Sequence, residues 1–464
     1  MRLWFDRFFP ADTSRRARAF VAVVFALHLA FSLFYAAAIP PLSGPDEYAH
    51  VRYVRQLVEE RALPVLTDVR QTRDSRTGAI AQHPPLSYLL GAPLYLAARA
   101  GGEDLPARVL RLASVALGAG TLAIFWLLLR ENFPTRRELW PAALAFAALL
   151  PHFLLLSSVW NNDGLLIFLS TLWLLYFLRL TRDSEAQTPR GWAFLGLLWG
   201  AALLTKATAL VYVVLVALFL LFQLARRQRG ARAVLADLGA FMVPGLFVGG
   251  WWFVRFYFMI GRIQPIPDLG YENLLLASPI QLLLHPDAPL LVGRFVAGAM
   301  RSIWGQVDWT FSPPQRDAMG QTFGFWDALW GPTLAAQPGL FALTLVVYRL
   351  AVVATLLAFA GLVMGAIKKR LDAPLRPLAL FFGLLYAALG YYTLFRHPGF
   401  FEGGRYLLPA LAATATLWTA GISFWLPAAR QRLLAPALLI FFVVWNLGCA
   451  VNLTQVLIPL YAPR

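Results

Sequence analysis

Six short stretches of this chain hold the polar groups from which a reaction could be built. The first is Pro40-Pro41-Leu42-Ser43-Gly44-Pro45-Asp46-Glu47-Tyr48-Ala49-His50, directly after a long apolar run. Two adjacent carboxylates, with a histidine one helical turn beyond Asp46, stand where an apolar segment should meet water. Ionisable groups at such a border are solvated, paired or used. Ser43 can cap a helix with Pro45 in its first turn, which puts Asp46 and Glu47 at a helix N-terminus. Structurally, two acids there complement the helix dipole, worth about a few tenths to one kcal/mol. Chemically, a carboxylate there can act as general base and take the proton of an acceptor hydroxyl. The company of His50 favours the chemical reading, because perturbed ionisable groups gather at sites.

The remaining stretches each have a structural reading beside the chemical one. In Gln82-His83-Pro84-Pro85-Leu86 the prolines open a helix, and His83 is either an interfacial polar residue or a contact to phosphate. Asn161-Asn162-Asp163 precedes an apolar run as an N-cap would, yet three polar groups exceed what a cap requires. Asp163 could be a second carboxylate facing Asp46, with Asn162 beside it. Lys206, one of only three lysines among 40 basic residues, falls between two apolar runs that are each short for a crossing. It is either a snorkelling lysine or an ammonium fixed for a phosphate. Arg255, in Trp251-Trp252-Phe253-Val254-Arg255, is an interfacial anchor among aromatics or a bidentate phosphate clamp. Glu402-Gly403-Gly404-Arg405-Tyr406 opens a later span, and its paired glycines let the backbone turn sharply or approach a ligand.

The elements that must position these residues are membrane helices. The 464 residues are 59% hydrophobic and 14% charged, where a soluble chain carries about a quarter charged. Mean hydropathy is +0.62. Apolar runs recur along the whole chain, which is therefore expected to be an all-α polytopic membrane protein. About eleven spans are expected, over 19–39, 106–129, 139–157, 163–180, 191–204, 207–224, 235–259, 347–366, 376–394, 405–426 and 433–456. Ala36-Ala37-Ala38 faintly matches a signal-peptidase site, but the long basic leader and long apolar run favour an uncleaved signal-anchor. The net charge of +16 comes from arginines in short connectors, which set orientation and do not call for nucleic acid. With one cysteine, Cys449, neither an intrachain disulfide nor a cysteine metal site can form.

Residues 85–100 are short, are interrupted by Pro93, and are read as an interfacial helix. All the basic connectors then fall on the cytoplasmic side with the N-terminus. Loop 40–105, the Asn161–Asp163 turn, the Lys206 turn, the connector 260–346 and the Phe395–Arg405 loop fall outside, so the chemically able residues share one face. The connector, with Arg301, Trp304, Asp308 and Trp309, is expected to shape an acceptor entrance and to add an interfacial helix. Histidines 28 and 152 lie in apolar runs and are read as packed. No HExxH, Walker loop or nucleotide-binding glycine pattern occurs.

Taken in order, Pro-Asp-Glu-x-x-His, His-Pro-Pro-Leu, the Asn-Asp turn, Leu-Thr-Lys, Trp-Trp-x-x-Arg and Gly-Arg-Tyr-Leu-x-Pro resemble the GT-C superfamily of integral-membrane glycosyltransferases. Its protein O-mannosyltransferases and lipid A aminoarabinose transferase are the most similar branches. The resemblance divides the chain into a catalytic module, 1–260, and a variable half, 261–464. It implies a polyprenyl-phosphate-linked sugar as donor, a glycan, lipid or protein as acceptor, and transfer with inversion on the outer face of a bacterial plasma membrane. Asp46, with Glu47, is then the base, and Asp163 a second acid at the reacting centre. Lys206, Arg255, Arg405 and His83 hold the donor phosphate, and His50, Asn162 and Glu402 line the substrate site. His83 departs from the aminoarabinose transferase, which has a lysine before its Pro-Pro. The sequence names no cofactor and leaves a metal requirement open: Asp46, Asp163 and His83 could ligate a divalent cation, although no spacing demands one.

The same charges could line the pathway of a transporter or flippase of lipid-linked glycans, which needs polar groups at mid-membrane or broken helices in paired halves. Their gathering at one border favours the enzyme, and a non-catalytic scaffold leaves the Asp-Glu-His cluster unexplained. The topology has a direct test. A Thr72→Cys variant should react with an impermeant thiol reagent from outside intact cells; labelling only after the membrane is broken would overturn the orientation.

Overall fold

The computed structural model describes residues 14–44, 46–67, 74, 77–102, 104–263, 279–304, 338–395 and 403–457. Among these residues the chain is helical throughout, and no strand of more than one residue forms. The first half contains α1 (Arg15–Ala38), α2 (Glu47–Glu59), α3 (Leu86–Ala98), α4 (Asp104–Asn132), α5 (Leu139–Leu149), α6 (Pro151–Leu156), α7 (Asn162–Arg182), α8 (Pro189–Leu203), α9 (Val211–Ala225), α10 (Ala231–Gly249) and α11 (Trp251–Ile260). The second contains α12 (Pro279–Leu284), α13 (Ala288–Ile303), α14 (Pro338–Ile367), α15 (Leu375–Phe395), α16 (Leu411–Phe424), α17 (Ala428–Gln431) and α18 (Leu434–Asn452). Short 3-10 turns over Ala207–Leu210 and Gly403–Ala410 precede α9 and α16.

Among the described residues nine segments are long and apolar enough to cross a membrane. Two of the eleven expected spans are not among them. The run 139–157 breaks at Pro151, where Leu150 turns extended between α5 and α6. Proline cannot donate to the preceding turn, and carbonyls freed inside a membrane need partners. Two distant side chains supply them: His28 bonds the Ala148 carbonyl at 2.8 Å and Asn446 donates to the Leu149 carbonyl at 2.8 Å. His28 is thus packed, as expected of it. The run 191–204 forms α8, whose 15 residues rise only about 22 Å.

Two of the central helices start at a short polar cap. Asn161 accepts from the Gly164 amide at the head of α7, and Thr188 from the Gly191 amide at the head of α8. α8 and α10 pack backbone to backbone along Gly196, Gly200, Gly245 and Gly249, the four-residue spacing of small residues that brings membrane helices together. One apolar core runs from Val21 to Leu453, so both halves of the chain share it.

α7 fixes the two ends of the molecule. Its first turn holds Asn162 and Asp163, and its last turn Arg179, whose fork binds Glu131 of α4 at 2.7 and 2.6 Å. At that second end Arg136 reaches Asp372 (3.3 Å) and Ser423 (2.9 Å), and Arg229 reaches Gln187. The basic connectors therefore meet at one end, and the site residues lie at the other. α3, at 13 residues, rises about 20 Å and is not among the crossing segments, in line with the reading of 85–100.

A side chain at Gly196 would bring its Cβ to 2.1 Å from the Phe241 carbonyl, whereas one at Gly239 would meet nothing within 4 Å. Gly196→Ala should therefore destabilise the protein by about 1–3 kcal/mol. Gly239→Ala should be neutral or slightly stabilising. Thermal unfolding in detergent compares the two, and equal midpoints would show that the α8–α10 contact is not close.

Candidate active site

The turn after α1 is built around one arginine. Arg111, inside the second span, is buried, and all five of its N–H donors are used. Nε and Nη2 grip Glu47 at 2.7 and 2.6 Å, Nη1 donates to the Ala36 and Ile39 carbonyls at 2.8 and 2.6 Å, and Nη2 also donates to the Pro40 carbonyl at 2.8 Å. Glu47 accepts further from the amides of Gly44 (3.0 Å) and Trp160 (3.3 Å). Its carboxylate is sealed away and fully engaged. Close packing limits the turn to glycine at position 44, since a Cβ there would meet Val159 at 2.7 Å.

α2 begins at Glu47, three residues later than a Ser43 cap would place it. Asp46 is the residue ahead of the helix, left-handed at φ 55°, and its side chain makes no cap bond. A non-glycine residue there is strained by about 1–3 kcal/mol, and such strain concentrates at working sites. The consequence is directional: the two neighbouring carboxylates part, Glu47 into the protein and Asp46 toward the far half of the chain.

There Asp46 meets Arg405, whose Nη2 lies 2.8 Å from Oδ2, with side-chain exposures of 27% for the acid and 18% for the arginine. A second pair stands beside it, Lys206 Nζ at 2.5 Å from Asp163 Oδ1. Tyr406 connects the two cations: Lys206 Nζ lies 4.5 Å from its ring centroid and the Arg405 guanidinium 5.2 Å from it. Both distances fall within cation–π range. Arg405 Nη2 also reaches the Tyr406 hydroxyl at 3.4 Å.

Histidines close the group. His50 Nδ1 bonds the Tyr88 hydroxyl at 2.8 Å, and its ring stacks on His83 at 5.8 Å. Tyr88 stacks in turn on Tyr53 at 3.9 Å. Burial raises the Asp46 pKa, but Arg405, His50 and His83 outweigh it and hold the carboxyl at about 2. His50 is lowered to about 4, by burial first and by Lys206 and Arg405 in addition, against the pull of Asp46 and Asp163. His83 is pushed well below the usual imidazole range by burial, Lys206 and His50. At neutral pH the Asp46 carboxyl is thus ionised and the two imidazoles are neutral.

The head of α3 is tied to the lysine turn, because the Leu86 amide donates to the Leu204 carbonyl at 3.0 Å. Asn161, Asn162 and Asp163 divide their work: Asn161 caps α7, Asn162 reaches the Thr205 carbonyl at 3.4 Å, and Asp163 pairs with Lys206. Arg255 stands one layer out. Its Nη2 donates to the Pro64 carbonyl at 2.8 Å, its guanidinium lies 4.9 Å from the Trp252 ring centroid, and its charge is felt by Tyr53. Arg255 Nη1, Asn162 Oδ1 and Gln82 Oε1 are buried and bond no described residue.

The structure therefore brings Asp46, His50, His83, Asp163, Lys206 and Arg405 together, with Asn162 adjoining, and sets Glu47 and Arg255 apart. Glu402, Asp308, Trp309 and Thr72 lie outside the described residues. Among the described residues no three His, Cys, Asp or Glu side chains gather as metal ligands. Sequence reasoning missed Arg111, Tyr88 and Tyr406. A charge inside the apolar run 106–129 was the signal for Arg111, since a buried ion there needs a partner.

A body of membrane helices with a carboxylate–cation group at one end defines a class of polytopic membrane protein, and comparison places the class. A family model described as dolichyl-phosphate-mannose-protein mannosyltransferase matches residues 82–252. The Archaeoglobus fulgidus oligosaccharyltransferase in complex with zinc and sulfate is similar in structure, with a TM-score of 0.51 at 15% identity over 93% of this chain and 53% of that one. ArnT from Cupriavidus metallidurans bound to undecaprenyl phosphate gives 0.48 at 16% identity, over 96% and 74%. The S. cerevisiae protein O-mannosyltransferase Pmt1-Pmt2 complex bound to the sugar donor gives 0.38 at 18%, over 57% and 36%. The chain spans a little over half the length of the archaeal enzyme. No curated protein sequence matches it. At 15% identity the likeness to the archaeal enzyme is one of fold.

Arg111→Met would leave Glu47 buried without its partner, which should cost about 3–5 kcal/mol of stability. Adding Glu47→Gln removes the stranded charge and should recover part of that loss. Denaturation of the two variants in detergent measures the difference; no recovery in the double variant would mean that the pair does not anchor the turn.

Proposed function

We propose that the chain is a glycosyltransferase. It moves a sugar from a polyprenyl-phosphate donor to a hydroxyl of a glycan, lipid or protein acceptor, with inversion, on the extracytoplasmic face of a bacterial plasma membrane. The observation that carries this reading is the meeting of Asp46 with Arg405, Lys206 and the two histidines at one end of the helical body. The family match adds support, since residues 82–252 include His83, Asp163 and Lys206 and its description names a dolichyl-phosphate-linked sugar.

In this mechanism Asp46 accepts the acceptor's O–H proton as the acceptor oxygen bonds the anomeric carbon. The bond from that carbon to the phosphate oxygen breaks, and its electron pair leaves with the lipid phosphate. Arg405 and Lys206 stabilise the charge that develops there. Asp163 positions Lys206, and Glu47 positions Asp46 through the turn they share. His83, neutral beside Lys206, offers an N–H where the aminoarabinose transferase has a charged lysine. Arg255 Nη1, Asn162 Oδ1 and Gln82 Oε1 are polar atoms that a bound donor would satisfy.

Mass spectrometry of lipid co-purified with the protein should detect a glycosyl phosphopolyprenol. Asp46→Asn should unfold at the wild-type temperature yet release polyprenyl phosphate from that lipid at least about 100-fold more slowly when envelope acceptors are added. Release at the wild-type rate would remove Asp46 as the base.

A further inference from the structure

The two arginine–carboxylate pairs of the site are built differently. Arg111 holds Glu47 through two nitrogens, and the side chains are 1% and 0% exposed. Arg405 holds Asp46 through Nη2 alone, and both partners are only part-buried, at 18% and 27% exposure. A guanidinium presents five donors in a fork that fits phosphate bidentately. Asp46 uses one corner of that fork and makes no cap bond to its own helix; among the described residues its hydrogen bond is to Arg405. Lys206 is likewise held by one oxygen of Asp163.

We propose that Arg405 is a shared ligand, binding Asp46 in the empty site and the donor's phosphate in the loaded one, so that the lipid-linked donor itself releases the carboxylate to serve as base. This rests on the glycosyltransferase reading above. An exchange is needed because the paired carboxylate is held at about 2, which makes it a weak acceptor for an alcohol proton. The charged and titratable groups facing it are Arg405 from the 3-10 turn, His50 from its own helix and His83 from the loop ahead of α3, with Asp163 and Lys206 acting on the same histidines. Both histidines are neutral at pH 7, so Arg405 is the full positive charge that must leave Asp46.

The exchange makes Asp46 a competitor of the phosphate. Binding of undecaprenyl phosphate to the full chain in nanodiscs, followed by tryptophan fluorescence, therefore reads it directly. Asp46→Asn should bind the lipid about tenfold tighter than the wild type, a gain of about 1.4 kcal/mol, and Asp46→Ser should behave alike. In an Arg405→Gln background the gain should vanish. Wild-type binding that neither Asp46 variant strengthens would overturn the exchange and leave the glycosyltransferase reading standing. A wild type that binds no undecaprenyl phosphate would overturn both.

Discussion

The ion pair between Glu47 and Arg111 is the constraint on which the site depends. It joins the end of the first span, the turn that follows, the second span and the Trp160 turn in one sealed knot. The last carbonyls of a helix have no partner within it, and Pro40 and Pro41 have no amide hydrogen with which to continue the ladder. Arg111 meets that need by giving some of its donors to backbone carbonyls and the rest to the carboxylate. A buried ion pair is weak as a source of net stability but costly to break by halves, which suits a part that must hold one geometry.

The second group of charges works by balance. Asp46, Asp163, Arg405 and Lys206 sum to zero, so the site can sit at the border of the apolar body without an unpaired ion. Each cation is nevertheless only singly tied, and both lean on the Tyr406 ring. Two positive groups held near one aromatic ring repel each other unless anions flank them. The carboxylates supply that charge, and a phosphate would supply it as well. An arrangement with interchangeable anions differs in kind from the Arg111 knot, where every donor is already spent.

Much of the fold was legible because hydropathy dictates membrane helices. That Asn161, Asn162 and Asp163 exceed the demand of one helix end was also legible; that Asp163 pairs with Lys206 was not. What stayed hidden depended on contacts across the chain. Nothing local to 139–157 reveals that His28 and Asn446 serve the carbonyls freed at Pro151. Nothing local to Asp46-Glu47 tells which carboxylate turns inward, because that follows from an arginine 64 residues away. The helix start shifted from the Ser43 cap for the same reason: Glu47 closes the turn onto the Gly44 amide, and the serine is not needed.

One backbone angle joins these observations. In a regular helix start, successive side chains diverge by about 100°, and both acids would stay near the same dipole. The left-handed φ of 55° at Asp46 sends its carboxylate across to Arg405 while Glu47 stays with Arg111. That conformation is held only while the residues on either side are fixed, and Glu47 is the fixed one. The sequence Asp-Glu therefore encodes a carboxylate turned toward Arg405 and an anchor in adjacent positions, with the strain at Asp46 maintained by the burial of Glu47. Exchanging the two residue types would not be neutral: the shorter aspartate could not reach Arg111 from position 47, and the turn that aims position 46 would lose its hold.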